Sequence, residues 1–97
     1  MTKVSLEKSG ERYSLACHGH ATGSEQMCAA ISTLVGTIQN YLRCTEFPFD
    51  EMVKDGDACI RWTGDERANA AFEMLCAGFL ALQATDRTKV FVEIKVF

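Results

Sequence analysis

The spacing of apolar and polar residues changes several times along the chain, and each change predicts a new element. Two stretches near the start, Thr2 to Lys8 and Arg12 to His18, alternate as half-buried strands do. Ser9-Gly10 between them is a turn signal, so we predict an antiparallel hairpin. From Glu25 to Arg43 or Cys44, apolar residues recur every three or four positions, which predicts an amphipathic helix. Its predicted core-facing stripe is Met27, Ile31, Leu34, Ile38 and Leu42.

The second half of the chain is also predicted to form a hairpin followed by a helix, and then a last strand. Pro48 ends the helical pattern, and Phe47 and Phe49 beside it either pack in the core or contact a peptide or a second subunit. A second hairpin pairs Asp50 to Lys54 with Ala58 to Trp62 around Asp55-Gly56, and its polar first strand is expected at a sheet edge. A capping-box spacing from Thr63 to Glu66 opens a second helix that runs to about Thr85. The last strand covers Lys89 to Val96.

The predicted order is ββαββαβ. An α+β fold with two helices packed on one face of a mainly antiparallel five-stranded sheet fits these patterns. Residues 1–97 contain no linker or repeat, so we expect a single domain. The uncovered sheet face, or a long sheet edge, leaves room for a second copy of the chain.

The residues with chemical potential cluster where the second strand gives way to the first helix. His20 lies at the end of the strand, and Cys28 lies in the first turn of the helix or just beyond it. Thr22 and Ser24 are both acceptable N-caps. A thiol there lies near the positive end of the helix dipole, which stabilises a thiolate, and the loop between can bring the imidazole to the sulfur. The alternative for Cys28 is the common one, a small buried hydrophobe.

Four further residues are candidates for supporting roles. Glu25, three residues after Thr22, either caps the helix or orients His20. Ser32 lies one turn beyond Cys28, where it either hydrogen-bonds near the site or bonds back to its own helix carbonyl. Gly19 and Gly23 are expected to supply unusual backbone angles at the strand end and in the loop.

A zinc site is the competing interpretation of this region. Cys17, His18, His20 and Cys28 are suitable ligand types, but neighbouring strand residues point to opposite faces of a sheet. We therefore expect no metal and no cofactor. The cysteines outside the candidate site are predicted to be core thiols: Cys17, Cys44, Cys59 and Cys76.

Charge and hydropathy narrow the possible partners. A net charge of −3 and a pI near 5.3 leave no basic footprint, so direct nucleic-acid binding is not expected. No apolar run approaches the ~20 residues of a membrane span, and the start of the chain lacks the apolar core of a signal peptide. Five cysteines without close CxxC pairs indicate reduced thiols, and we expect a cytoplasmic protein.

The same stretch carries a resemblance to a known family. Gly19-His20-Ala21, a glycine-containing loop, and an acidic residue three before Cys28-Ala29-Ala30-Ile31-Ser32 resemble the signature of the ribosomal-processing cysteine proteases. That bacterial family removes an N-terminal extension from a large-subunit ribosomal protein. The resemblance covers essentially the whole chain, and it implies a peptide substrate and a homodimer.

By this resemblance Cys28 is the nucleophile, His20 its general base and Ser32 the motif serine, while Glu25 stands where the family usually has Asp. The His-to-Cys segment is shorter than the family pattern. Two hypotheses follow: a cysteine endopeptidase, favoured by the joint presence of His20 and Cys28, and a non-catalytic interaction module of the same fold, favoured by the shortened loop.

Overall fold

The computed structural model describes all residues from 1 to 97, which form five strands and two helices in the predicted order ββαββαβ. The strands are β1 Thr2–Ser9, β2 Arg12–His18, β3 Phe49–Lys54, β4 Asp57–Thr63 and β5 Val90–Val96. The helices are α1 Glu25–Arg43 and α2 Glu66–Thr85. Neither helix is long and apolar enough to cross a membrane.

The strands form one sheet in the order β3-β4-β2-β1-β5. β1 and β2, β2 and β4, and β3 and β4 pair antiparallel, whereas β5 pairs parallel to β1. Both helices pack on the face that carries the buried alternate residues of β1, β2 and β4. The predicted α+β fold with a mainly antiparallel five-stranded sheet is confirmed, and the acidic strand β3 lies at an edge as expected.

The core contains the aromatic residues Trp62, Phe72 and Phe79, and Phe47 joins them. One position in the predicted stripe of α1 is wrong. Val35 is buried instead of Leu34, which is half-buried because it faces α2 at Gly78. A methyl group added at Gly78 would lie 3.0 Å from a Leu34 methyl carbon, so the two helices approach closely there.

The start of α2 also differs from the prediction. Asp65, not Thr63, is the N-cap, and its carboxylate accepts a hydrogen bond of 2.9 Å from the backbone N–H of Arg67. Arg67 also pairs with Glu46 and lies over the Phe47 ring. Hydrogen bonds from Arg67 lower the pKa of both Asp65 and Glu46. These contacts fix the segment between α1 and β3 to the start of α2.

Candidate active site

The chain turns sharply where β2 ends, and this turn places His20. Gly19 adopts φ +89°, and its N–H donates a 2.9 Å hydrogen bond to the carbonyl of Gly56. A Cβ atom at Gly19 would lie 2.7 Å from the carbonyl oxygen of Met1. Both the positive φ and the close approach require glycine there. The expected special backbone at Gly19 is therefore observed, and it carries His20 onto the β3–β4 turn.

The imidazole of His20 rests on the two-residue turn Asp55-Gly56. A Cβ atom added at Gly56 would lie 2.6 Å from Nε2 of His20, so only glycine leaves room for the ring. Oδ1 of Asp55 lies 3.9 Å from the same nitrogen. The Asp55 carboxylate is 98% exposed, so its attraction to the imidazole is weak. The turn thus contacts the Nε2 end of the ring, and about half of the side chain stays exposed.

The loop from Ala21 to Ser24 is attached to the protein at several points. Ala21 is buried, and its carbonyl accepts a 3.0 Å hydrogen bond from the N–H of Ser24. Lys89, just before β5, donates from Nζ to the carbonyl of Thr22. Gly23 adopts φ +83°, as expected of a glycine in this loop. The loop is therefore held both to the core and to the strand at the far edge of the sheet.

Helix α1 starts in a different way from the capping box suggested by Thr22 and Glu25. Ser24 is the N-cap, and its Oγ accepts a 3.1 Å hydrogen bond from the N–H of Met27. Glu25 is the first helical residue and is exposed. A carboxylate at that position favours the helix through the dipole rather than through a reciprocal cap.

Cys28 is the fourth residue of α1 and is half-buried. Its Sγ donates a weak hydrogen bond of 3.7 Å to the carbonyl of Ala21, and its N–H bonds to the carbonyl of Ser24. The N–H groups of Glu25 and Gln26 make no hydrogen bond within the chain. Two free backbone donors therefore lie in the same helical turn as the thiol, where an anion is stabilised.

Two cavities meet at His20 and Cys28. The first, of about 370 Å³, lies between α1 and the β3–β4 hairpin, and its apolar lining includes Ile31, Val35 and Val53. The second, a shallow depression of about 690 Å³, lies over the loop from Ala21 to Gln26. His20 and Cys28 are the two residues that line both. An extended chain crossing from one cavity to the other would pass over this pair.

Cys17 also lines the first cavity, but it is a different kind of thiol. It lies on the helix-facing side of β2 and is 5% exposed. Burial raises the pKa of Cys17 to about 12, so at neutral pH this thiol keeps its proton. Cys17 is a core thiol as expected.

The remaining cysteines divide between the core and the surface. Cys76 is half-buried against the core, and burial is the main cause of its raised pKa. The expectation for Cys59 is wrong, because it alternates with the buried residues Ala58 and Ile60 and so lies, half-buried, on the open face of the sheet. The expectation for Cys44 is wrong, because it caps the C-terminal end of α1 and is exposed there. The apolar stripe of α1 ends at Leu42 as predicted, and Cys44 lies beyond it.

Ser32 lines the first cavity one turn beyond Cys28, and its hydroxyl is exposed. Neither predicted hydrogen bond forms: Ser32 bonds to no site residue and does not bond back to the carbonyl of Cys28. Thr33 and Thr37, by contrast, do bond back to carbonyls one turn earlier. The Ser32 hydroxyl is therefore available to a molecule in the cavity.

The structure adds residues that the sequence had not indicated for this site. Asp55 and Gly56 were predicted as a turn, but their position under His20 follows from the pairing of β2 with β4, in which His18 lies opposite Asp57. Gln39 lines the far end of the first cavity and donates a 3.4 Å hydrogen bond to Glu51. The positions of these residues in the site depend on which strands pair, and hydrophobic periodicity along the chain does not indicate that.

His18 lies on the open face of the sheet, opposite to Cys17. Its Nδ1 is 2.5 Å from Oδ1 of Asp57, its neighbour across the β2–β4 pairing. Of the two histidines, His20 but not His18 lines the cavities that contain Cys28. No three His, Cys, Asp or Glu side chains are placed to share a metal ion.

Comparison with solved structures identifies the fold. The essential ribosomal processing protease Prp from S. aureus, in complex with a covalently linked product peptide, superposes with a TM-score of 0.83 at 18% sequence identity, covering 98% of this chain and 100% of that one. The fold is that of Prp. The same protease in complex with a substrate peptide gives a TM-score of 0.79 at 18% identity, with the same coverage.

A third structure, SMU.848 from Streptococcus mutans, gives a TM-score of 0.76 at 21% identity and covers 100% of this chain and 96% of that one. No protein-family model matches the sequence, and no curated protein matches it either. At 18% to 21% sequence identity, the fold is the property that this chain shares with these proteins.

Proposed function

We propose that this protein is a cytoplasmic cysteine endopeptidase that removes the N-terminal extension of a ribosomal protein and acts as a homodimer. The observation that carries the proposal is the meeting of two cavities at His20 and Cys28. The fold shared with Prp, whose structures contain a substrate peptide and a covalently linked product peptide, supports it. The substrate is thus a peptide segment, and neither metal nor cofactor is required.

In the proposed reaction, His20 takes the proton of Cys28 and the thiolate attacks the scissile carbonyl carbon. A C–S bond forms, the C–N bond breaks, and the proton held by His20 passes to the leaving amine. Water then adds to the thioester with His20 as base, which releases the carboxylate product and restores the thiol. Each step uses the same pair of side chains.

The start of α1 supplies the groups that stabilise the oxyanion. The free N–H groups of Glu25 and Gln26 lie in the same first turn of the helix as Cys28 and point out of the helix start. Donors fixed in this way stabilise negative charge on the tetrahedral intermediate without reorganising during the reaction. We assign Glu25 a supporting role through its backbone and through the helix dipole, and Ser32 a role in contacting the bound peptide.

The substrate lies in the groove between α1 and the β3–β4 hairpin. Ile31, Val35 and Val53 form an apolar floor and wall there, which suits hydrophobic side chains of an extended peptide. Gln39 and Glu51 close the far end. Beyond Cys28 the peptide continues over the shallow depression above the loop from Ala21 to Gln26.

The non-catalytic interaction module remains the second candidate, and one observation favours it. The Cys28 thiol donates to the carbonyl of Ala21, and Nε2 of His20 faces Gly56 and Asp55. No hydrogen bond links the two side chains. Unliganded sites of this kind are commonly loose and tighten with substrate.

A cleavage assay separates the two candidates. The purified protein is mixed with a full-length ribosomal protein that carries the N-terminal extension, and the products are analysed by intact mass. We expect one truncated product with the wild-type chain and none with Cys28→Ala. Binding of the extension without any cleavage by the wild type would establish the interaction module instead.

A further inference from the structure

Strand β5 leaves an apolar sheet edge uncovered. It pairs only with β1, and its exposed side chains include Phe91, Ile94 and Val96, followed by Phe97, which is 75% exposed. Exposed apolar edge strands tend to pair with another strand, and most proteins shield them with charges or bulges. Only Glu93 and Lys95 interrupt the apolar character of β5.

The backbone groups free to pair can be identified from the hydrogen bonds to β1. The carbonyl of Lys89 and the N–H of Phe97 both bond to β1, and bonding residues alternate along a parallel ladder. The backbone N–H and C=O groups of the odd-numbered residues of β5 therefore point toward β1. Val92, Ile94 and Val96 point their N–H and C=O groups outward, in agreement with the 2.6 Å bond from the N–H of Val92 to Oε1 of Gln83.

The sequence of this edge is symmetric about Ile94. Glu93 and Lys95 flank Ile94. Val92 and Val96 lie two residues from it, and Phe91 and Phe97 lie three residues from it. Positions equally distant from the centre thus carry the same type of apolar residue or opposite charges. A strand with this pattern is complementary to a second copy of itself running antiparallel.

We propose that β5 pairs antiparallel with β5 of a second copy about a two-fold axis at Ile94, which joins the two sheets into one. The proposal rests on the homodimer of the proposed function and not on peptidase activity. In this register Glu93 of each copy faces Lys95 of the other, and Phe91 faces Phe97. These are non-hydrogen-bonded positions, where opposed side chains approach most closely.

The hydrogen bonds of the interface come from the outward-facing residues. Ile94 of each copy donates to and accepts from Ile94 of the other, and the N–H of Val96 donates to the carbonyl of Val92. The N–H of Val92 stays with Gln83, which marks the end of the paired region. Leu80 is exposed and lies one turn before Gln83 on the same helix face, so it extends the apolar contact above the strands.

The opposite edge of the sheet is less suited to a second copy. Strand β3 borders the cavity that contains His20 and Cys28, and its Glu51 is paired with Arg43 of α1. A copy seated there would cover the mouth of the groove. Pairing through β5 leaves both sites open.

Ile94→Pro tests the backbone part of the proposal. Proline removes an outward N–H and leaves the bonds between β5 and β1 in place, a position at which edge strands tolerate proline. Sedimentation velocity over micromolar to millimolar concentrations should show that the dimer dissociation constant rises at least about tenfold. Met52→Lys, at an exposed position on β3, is the matched control and should dimerise like the wild type.

Charge reversal tests the register. Glu93→Lys and Lys95→Glu each place like charges opposite one another in the homodimer, so each variant alone should dimerise about tenfold more weakly than the wild type. When the two variants are mixed, every facing pair is again of opposite charge. Native mass spectrometry with one variant labelled should then show mainly the heterodimer, and added salt should reduce this preference.

The possible outcomes show separately whether the chain dimerises and whether it dimerises through β5. A wild-type chain that is monomeric at millimolar concentration would overturn both the homodimer and the β5 interface. A dimer insensitive to all three variants would keep the homodimer and overturn this interface. If Ile94→Pro loses its native circular dichroism, the mixture of Glu93→Lys and Lys95→Glu tests the interface instead. Equal amounts of homodimer and heterodimer in that mixture would contradict the proposed register. None of these results depends on cleavage of a peptide.

Discussion

Cys17 and Cys28 line the same cavity but differ in the element that carries them. Cys17 lies in the middle of the sheet on β2, among core side chains, and burial raises its pKa to about 12. Cys28 lies in the first turns of α1, half-buried, beside free backbone N–H groups. The comparison teaches that a thiol near an imidazole becomes a candidate nucleophile only where the local backbone also accommodates negative charge.

The difference follows from local structure rather than from composition. A side chain on the inner face of a central strand is surrounded by apolar neighbours, which disfavour its charged form. A side chain at a helix start faces unpaired N–H groups and the positive end of the dipole. The fold thus places a buried thiol and the proposed nucleophile in one cavity, and each substitution below changes one of the two environments.

The largest effect is expected from removing the proposed reactive pair. Cys28→Ala and His20→Ala should each lower kcat by ~10³-fold or more, and the double variant should be little worse than either, because the two residues act as a unit. Steady-state cleavage of the precursor measures this. Cys59→Ala, which removes a half-buried thiol outside both cavities, is the control and should keep wild-type kcat. Near-full activity of His20→Ala would show that the base has been assigned wrongly.

Gly56→Ala should give the next largest effect. The added methyl would lie 2.6 Å from Nε2 of His20, and the residue has φ +72°, so both the ring position and the turn are disturbed. We expect a loss of kcat of roughly tenfold to 100-fold and a loss of about 1 kcal/mol of stability.

Gly10→Ala is the matched control for Gly56→Ala. Gly10 has φ +60° and open space around its Cα, so alanine there adds backbone strain without touching the site. It should lose similar stability in thermal denaturation and keep its kcat. An equal loss of kcat in both variants would mean that the turn does not support His20 specifically.

Cys17→Ala should affect stability more than chemistry, and its effect should depend on pH. The pKa of Cys17 is raised from 9.0 to about 12 in the folded state, so the folded protein holds this proton more tightly than the unfolded chain does. This contribution to stability is present below pH 9 and is lost as the pH rises from 9 toward 12. Urea denaturation should therefore show a steeper alkaline loss of stability in the wild type than in Cys17→Ala. Parallel curves would argue against a deeply buried thiol.

The smallest effect is expected for Asp55→Asn. The carboxylate is 98% exposed and 3.9 Å from Nε2 of His20, so its removal should lower kcat only about twofold to fivefold and leave KM unchanged. Raised salt should reduce activity of the wild type toward that of the variant through screening. A loss as large as that of His20→Ala would assign Asp55 a much stronger role in orienting the base.

Most of the fold could be predicted from the sequence because its elements have clear periods. Strand β2 and helix α1 begin and end where alternation, turn residues and apolar spacing place them. The choice of Ser24 and Asp65 as N-caps could not be predicted, since Thr22 and Thr63 are also good caps and the competition is decided by the path of the loop.

The site could be predicted only in part. His20 and Cys28 could be proposed from the sequence because they lie near one another along the chain, at a strand end and a helix start. The support of His20 by Gly56, and the presence of Cys17 in the same cavity, depend on the pairing of β2 with β4. The rotation of α1 that buries Val35 instead of Leu34 depends likewise on the close approach of α2 at Gly78.

The rate at which each cysteine reacts with iodoacetamide, followed by peptide mapping near neutral pH, tests most directly whether Cys28 is activated. Cys44 is exposed and Cys28 only half-buried, so exposure alone would label Cys44 first. We predict that Cys28 is alkylated ahead of Cys44, that His20→Ala slows Cys28 but not Cys44, and that Cys17 stays unlabelled until the protein unfolds. Labelling of Cys44 before Cys28, with no effect of His20→Ala, would contradict the assignment of Cys28 and His20 as a reactive pair.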